Sequence, residues 1–279
     1  MRIDSRQRAA DVQRGDVFRT AAMTIMCPTP PLGALYSRDL QWKQYLATGR
    51  AIAFDSVGNL YSVDGTALDV FDTSLHKIRT VAIPEAASAL AVSGAGFAYV
   101  AGESGTVFVY SPGGVWQSEF TLPSAAESID IAPEGCTLVY VGAVGVVNRF
   151  DVCAGVALPR IAQDERFTAI RALRDGGFAG ATASRIEIWN GAGQMVHSVN
   201  IPNERFSNEV AHVAALAFDV DPDYIVLVTN SGLMKMNVRN PSGAITDALN
   251  NPFGVAVFGE ERPSPSRFAT PAKRRGAGH

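Results

Sequence analysis

"AIAFDSVGNLYSVDGTALDVFDTSLHKIRTVAI", residues 51–83, decides the fold. Short runs rich in β-branched and aromatic residues ("AIAF", "LYSV", "LDVFD", "KIRTVAI") are separated by "DSVGN", "DGTA" and "TSLH". Those separators are made of the residues that reverse a chain, so the stretch reads as four short strands joined by hairpins. Gly58 opens the second strand, where a tight hairpin demands positive φ, and Gly96, Gly135 and Gly177 stand at the corresponding points downstream.

The unit repeats. "RAIAFD", "SALAVS", "ESIDIA", "TAIRAL", "AALAFD" and "FGVAVF" centre on Ile52, Leu90, Ile129, Ile170, Leu216 and Val255, at steps of 38, 39, 41, 46 and 39 residues. A second marker pairs an aromatic with a turn-forming polar residue: Phe71-Asp72, Tyr110-Ser111, Phe150-Asp151 and Trp189-Asn190, at steps of 39, 40 and 39. Four strands recurring every ~40 residues are the signature of β-propeller blades.

The chain ends set the blade number. The last period stops after one strand, "GVAVFGEE", and the first full period begins near Arg50. Before it, "GDVF" (15–18), "GALYSRD" (33–39) and "QWKQYLAT" (41–48) supply a second, third and fourth strand, with Tyr36-Ser37 repeating the aromatic–polar marker. The expectation is an all-β, six-bladed β-propeller of four-stranded antiparallel blades, its ring closed by strands from both termini so that open sheet edges are hidden. One domain spans 15–261, with blade six shared between 15–48 and 252–261, flanked by disordered tails at 1–14 and 262–279.

Inner strands crowd around the propeller axis, which favours small side chains at their centres. That position reads Ala53, Ala91, Asp130, Arg171, Ala217 and Ala256. Asp130 and Arg171 occupy it in adjacent blades, and an unpaired charge there would be costly. They are expected to meet as an ion pair near the channel. Cys136 and Cys153 bracket one strand–turn–strand unit in a chain with three cysteines. With a turn at 143–145 the two face each other across a hairpin, within reach of a disulfide; two buried reduced thiols are the alternative.

With the blades aligned, "IDIAPEGCTLVYVG", "NRFDVCAGVALP", "AIRALRDGGFAGATASRIEIWNGAGQMV" and the terminal "GVAVFGE" resemble bacterial NHL-like, YVTN-like propeller proteins. The resemblance extends over roughly residues 15–260. It implies a propeller and, often, export, and no established reaction. The predicted disulfide points the same way, towards an extracellular or periplasmic site, although the N-terminus shows no apolar core of a signal peptide.

Function is expected at the top face, where linkers enter the inner strands. The candidate ligand or metal site there is His212, Glu209 and Asn208, in the enlarged connection before "HVAALAFD", together with Glu127 and Arg166 from equivalent linkers. The leading reading is a non-catalytic binding or interaction module with no cofactor. The alternative is a lactonase-like hydrolase or a virginiamycin B lyase-like lyase holding a divalent cation, although neither family's constellation matches residue by residue. The charge of −3 argues against general nucleic-acid binding, and no apolar run is long enough to span a membrane. A monomer is expected, with a protein, carbohydrate or small molecule as partner.

Overall fold

A computed structural model describes residues 11–21, 32–162, 164–201, 213–229, 232–240, 243–245 and 252–269. Its strands form six four-stranded antiparallel sheets arranged as the blades of a ring. Blades one to five are consecutive in sequence. Their inner strands are Ala51–Phe54, Ala87–Val92, Ala126–Ile131, Ala169–Ala172 and Val213–Phe218. Blade six runs from Pro252–Val257 at the axis through Val17–Ala21 and Leu32–Tyr36 to Trp42–Ala47 at the perimeter. The ring is therefore closed by main-chain bonding between the two ends of the chain, with Val17 opposite Val257 and Phe18 opposite Ala256.

Successive side chains on a strand point to opposite faces of its sheet, and here both faces are covered. Val17 and Val257 pack with Val226 and Val228 of blade five, whereas the adjacent Phe18 and Ala256 pack with Ile52, Leu60 and Phe71 of blade one. The same division gives a separate apolar core at each of the six blade junctions. Double coverage explains why the inner strands read as continuous apolar runs instead of alternating ones.

The aromatic–polar marker has a local cause. The aromatic ends or nearly ends the third strand, and the next side chain closes the turn to the outer strand. Asp72 Oδ1 accepts the amides of Ser74 and His76, both at 2.9 Å. Asn190 Oδ1 accepts those of Ala192 and Gln194 at 3.1 and 2.9 Å. Blade five does the same with Asn237, which accepts the amides of Arg239 and Asn240. There Met236 replaces the aromatic, so the marker is silent in the sequence.

Three details differ from expectation. In blade four it is Gly176 that takes positive φ, at 74°, while Gly177 is required because a Cβ there would lie 2.1 Å from the Trp189 carbonyl oxygen. Residues 11–14 and 262–269, expected in disordered tails, are instead packed on the ring. Val12 is buried and its amide donates to Thr73 O, so residues 11–14 pack on blade one. Residues 262–269 form a strap across the bottom face, where the inner strands end. Arg267 binds Asp223 at 2.8 Å, and Phe268, 4 % exposed, sits in the core of blades four and five with its ring 5.9 Å from that of His197.

The third difference is at the cysteines. They form a disulfide with Cα atoms 5.2 Å apart, but they are not directly opposite. The hairpin register pairs Thr137 with Asp151, which sets Val152 against Cys136, and the Val152 amide donates to Cys136 O at 2.8 Å. The third strand stops at Asp151, whose Oδ1 accepts the amides of Cys153 and Ala154 at 2.9 and 2.8 Å. That turn brings Cys153 back over Cys136. The bond thus staples the open end of the hairpin and the turn into the outer strand.

Candidate functional site: a channel plugged by a charged quartet

Asp130 and Arg171 meet where the inner strands of blades three and four approach the axis, with Arg171 Nη1 3.2 Å from Asp130 Oδ1. The pair belongs to a quartet. Arg171 Nε donates to both carboxylate oxygens of Glu260, at 2.9 and 3.0 Å. Arg262 Nη1 lies 2.9 Å from Asp130 Oδ2, and Arg262 Nε lies 3.3 Å from Glu260 Oε2. Main-chain amides supply further donors: Ala172 N to Asp130 Oδ2 at 2.7 Å and Phe218 N to Glu260 Oε1 at 2.6 Å.

Two cations and two anions thus balance in a buried ring, with Asp130 1 % exposed and Glu260 7 %. Burial alone would push the Glu260 carboxyl up, but Arg171 and Arg262 outweigh it and hold the pKa at about 2. Burial alone would likewise lower Arg171, and Asp130 and Glu260 raise it above the usual guanidinium range instead. Such a network is expensive to desolvate and tolerates no missing member. It joins blades three, four and five to the segment leaving blade six. Arg174 adds an ion pair to Glu261 at 2.7 Å and a bond to Arg262 O at 2.8 Å. The quartet plugs the channel, and a hollow of about 340 Å³ lies on its bottom side, lined by Asp55, Arg174, Glu260 and Arg262.

The top is open. A funnel of about 270 Å³ is lined by the beginnings of the inner strands, with Arg50, Ser88, Glu127 and Phe253 at its mouth. The Arg50 guanidinium stands 4.8 Å from the Phe253 ring centroid, which orients its charge over the opening. Of the residues expected at this face, Glu127 lines the funnel and Arg166 does not. Arg166 is exposed, its Nη1 donating to Glu165 O at 3.3 Å. Asn208, Glu209 and His212 lie outside the described residues. Among the described residues no group of three or more His, Cys, Asp or Glu is placed to hold a metal ion.

Sequence reasoning missed Glu260 and Arg262. Both follow the last recognisable strand, in "FGEER", where no repeat period identifies a role. The available signal was the unmatched charge balance of the channel: Asp130 and Arg171 are both buried, yet each has more bonding capacity than the other can fill.

No family model matches the chain, and no curated protein does. Among solved structures it is similar to hydrazine synthase of Kuenenia stuttgartiensis, with a TM-score of 0.56 and 15 % identity over 72 % of this chain and 67 % of that one. In all, 1507 solved chains match, so the likeness marks a widely used architecture and carries no single activity. No helix among the described residues is long and apolar enough to cross a membrane.

Proposed function

We propose that the protein is a non-catalytic propeller module that binds its ligand at the top face of the channel. The observation that carries this reading is the chemistry of the top funnel. The quartet's charges satisfy one another, and the hollow below it is lined by these same paired groups, while the top presents Arg50, Glu127 and Ser88 around an open funnel. A cation and an acid held on a rigid ring suit a small polar ligand or a polar loop of a partner protein. The disulfide is compatible with an extracellular location, and we place the module in an oxidising compartment on that ground.

The test is a thermal-shift screen of polar metabolites, sugars and divalent cations on the purified protein, followed by Arg50→Ala and Glu127→Gln. Binding at ~100 times Kd stabilises by about 2.7 kcal/mol. The reading predicts a stabilising organic ligand whose effect both variants weaken. Stoichiometric bound metal, with lactone hydrolysis or lyase activity lost in His212→Ala, would overturn it in favour of the metal-dependent enzyme.

A further inference from the structure

The blade repeat places an apolar residue just before the aromatic of the third strand, at Leu35, Val70, Val109 and Ile188, and blade three has Arg149 there instead. Arg149 is 8 % exposed. Its Nε and Nη2 donate to Pro159 O at 3.2 and 2.9 Å, and its Nη1 donates to Gly176 O at 3.1 Å and Gly191 O at 3.0 Å. No carboxylate among the described residues forms a direct ion pair with it, so the hydrogen bonds that hold this buried cation go to carbonyl oxygens. Burial lowers its pKa, with Asp175 acting in the opposite direction.

A groove of about 650 Å³ opens beside it on the perimeter between blades three and four. It exists because the outer strand of blade three, Val156–Leu158, has three residues where those of blades one, two and four have six. The connection after it is therefore free to stand away from the next blade. Arg149 and the exposed Arg160 line one part, Trp189 and Ile161 provide apolar wall, and Asp164 and Glu165 complete the lining. Glu165 is already paired with Arg185 at 2.8 Å, which leaves the two arginines facing Asp164.

We propose that this groove is a second binding site, separate from the channel, for a ring-sized polyhydroxylated carboxylate, that is, a sugar acid. The carboxylate is met by Arg160 and the buried positive charge of Arg149, the ring lies along Trp189, and Asp164 accepts ligand hydroxyls. A fixed buried cation without a directly paired carboxylate is what distinguishes the groove from an ordinary cleft between blades.

The chain has three tryptophans, and the exposed Trp42 and Trp116 lie on other blades as internal references. Indole N–H signals are to be followed by NMR while glucuronate, and separately glucose, is titrated into the intact protein. The expected result is a saturable shift of the Trp189 signal alone with glucuronate and no shift with glucose. Arg160→Glu, an exposed change that leaves the fold intact, is expected to weaken glucuronate by about tenfold or more. Absence of a saturable shift, an equal response to glucose, or undiminished binding in Arg160→Glu would each overturn the proposal.

Discussion

Glu260→Gln tests the quartet most directly, because it removes one charge and almost no volume. The Glu260 carboxyl is drawn from 4.5 to about 2, which corresponds to about 3 kcal/mol of stability. The folded-state value is depressed, so this contribution is complete above the unfolded value and is lost as pH falls towards 2. Loss of one member of a buried ion network costs about 3–5 kcal/mol by comparison with other proteins, the same order. At neutral pH the variant is therefore expected to lose about 3 kcal/mol, or roughly 6 °C in Tm for a domain of this size. Urea unfolding of both proteins at pH 7, 5 and 3 supplies the assay. The gap between them should narrow as pH falls below about 4.5, since the unfolded wild-type chain then binds a proton that the native carboxylate refuses until pH nears 2. A loss below about 1 kcal/mol at pH 7, or a gap that stays constant down to pH 3, would refute the electrostatic account. Removing an acid and a base together, as in Glu260→Leu with Arg262→Met, should cost less than the two single changes added.

Changing Cys136 and Cys153 to serine should cost about 2–3 kcal/mol, and thiol counting on the unfolded, non-reduced native protein should find one free thiol; three would contradict the disulfide. Phe268→Ala should lower stability by about 3 kcal/mol by emptying a core position, and an effect below about 0.5 kcal/mol would show that the strap does not pack as described. Tyr61, raised to about 12 by burial and by the neighbouring Asp55, should resist ionisation in a tyrosinate absorbance titration until the pH is well above 10. Its contribution to stability is complete below about pH 10 and is lost as pH rises towards 12. A Tyr61→Phe variant that leaves the high-pH limb of the titration unchanged would refute that assignment.

The features legible in the chain alone are those that recur. Strand runs, turn residues and the apolar centres of the inner strands obey local rules, and repetition every ~40 residues turns weak local signals into a blade count and a way of closing the ring. The marker at Phe71-Asp72 carried so well because one side chain both ends a strand and bonds its own turn, a requirement confined to a few residues. The same logic exposed Asp130 and Arg171 as exceptions. Tertiary structure decided whatever depends on a single unrepeated approach. The position of Cys153 came from a turn that ends the strand one residue early. The partners Glu260 and Arg262 came from a strap whose path across the bottom face is set by packing, with Phe268 seated between blades four and five. Arg149 became the wall of a groove only because a neighbouring strand is short. Periodic contacts leave their period in the chain, whereas contacts between distant segments depend on where the closed ring places them, and composition alone holds no record of that.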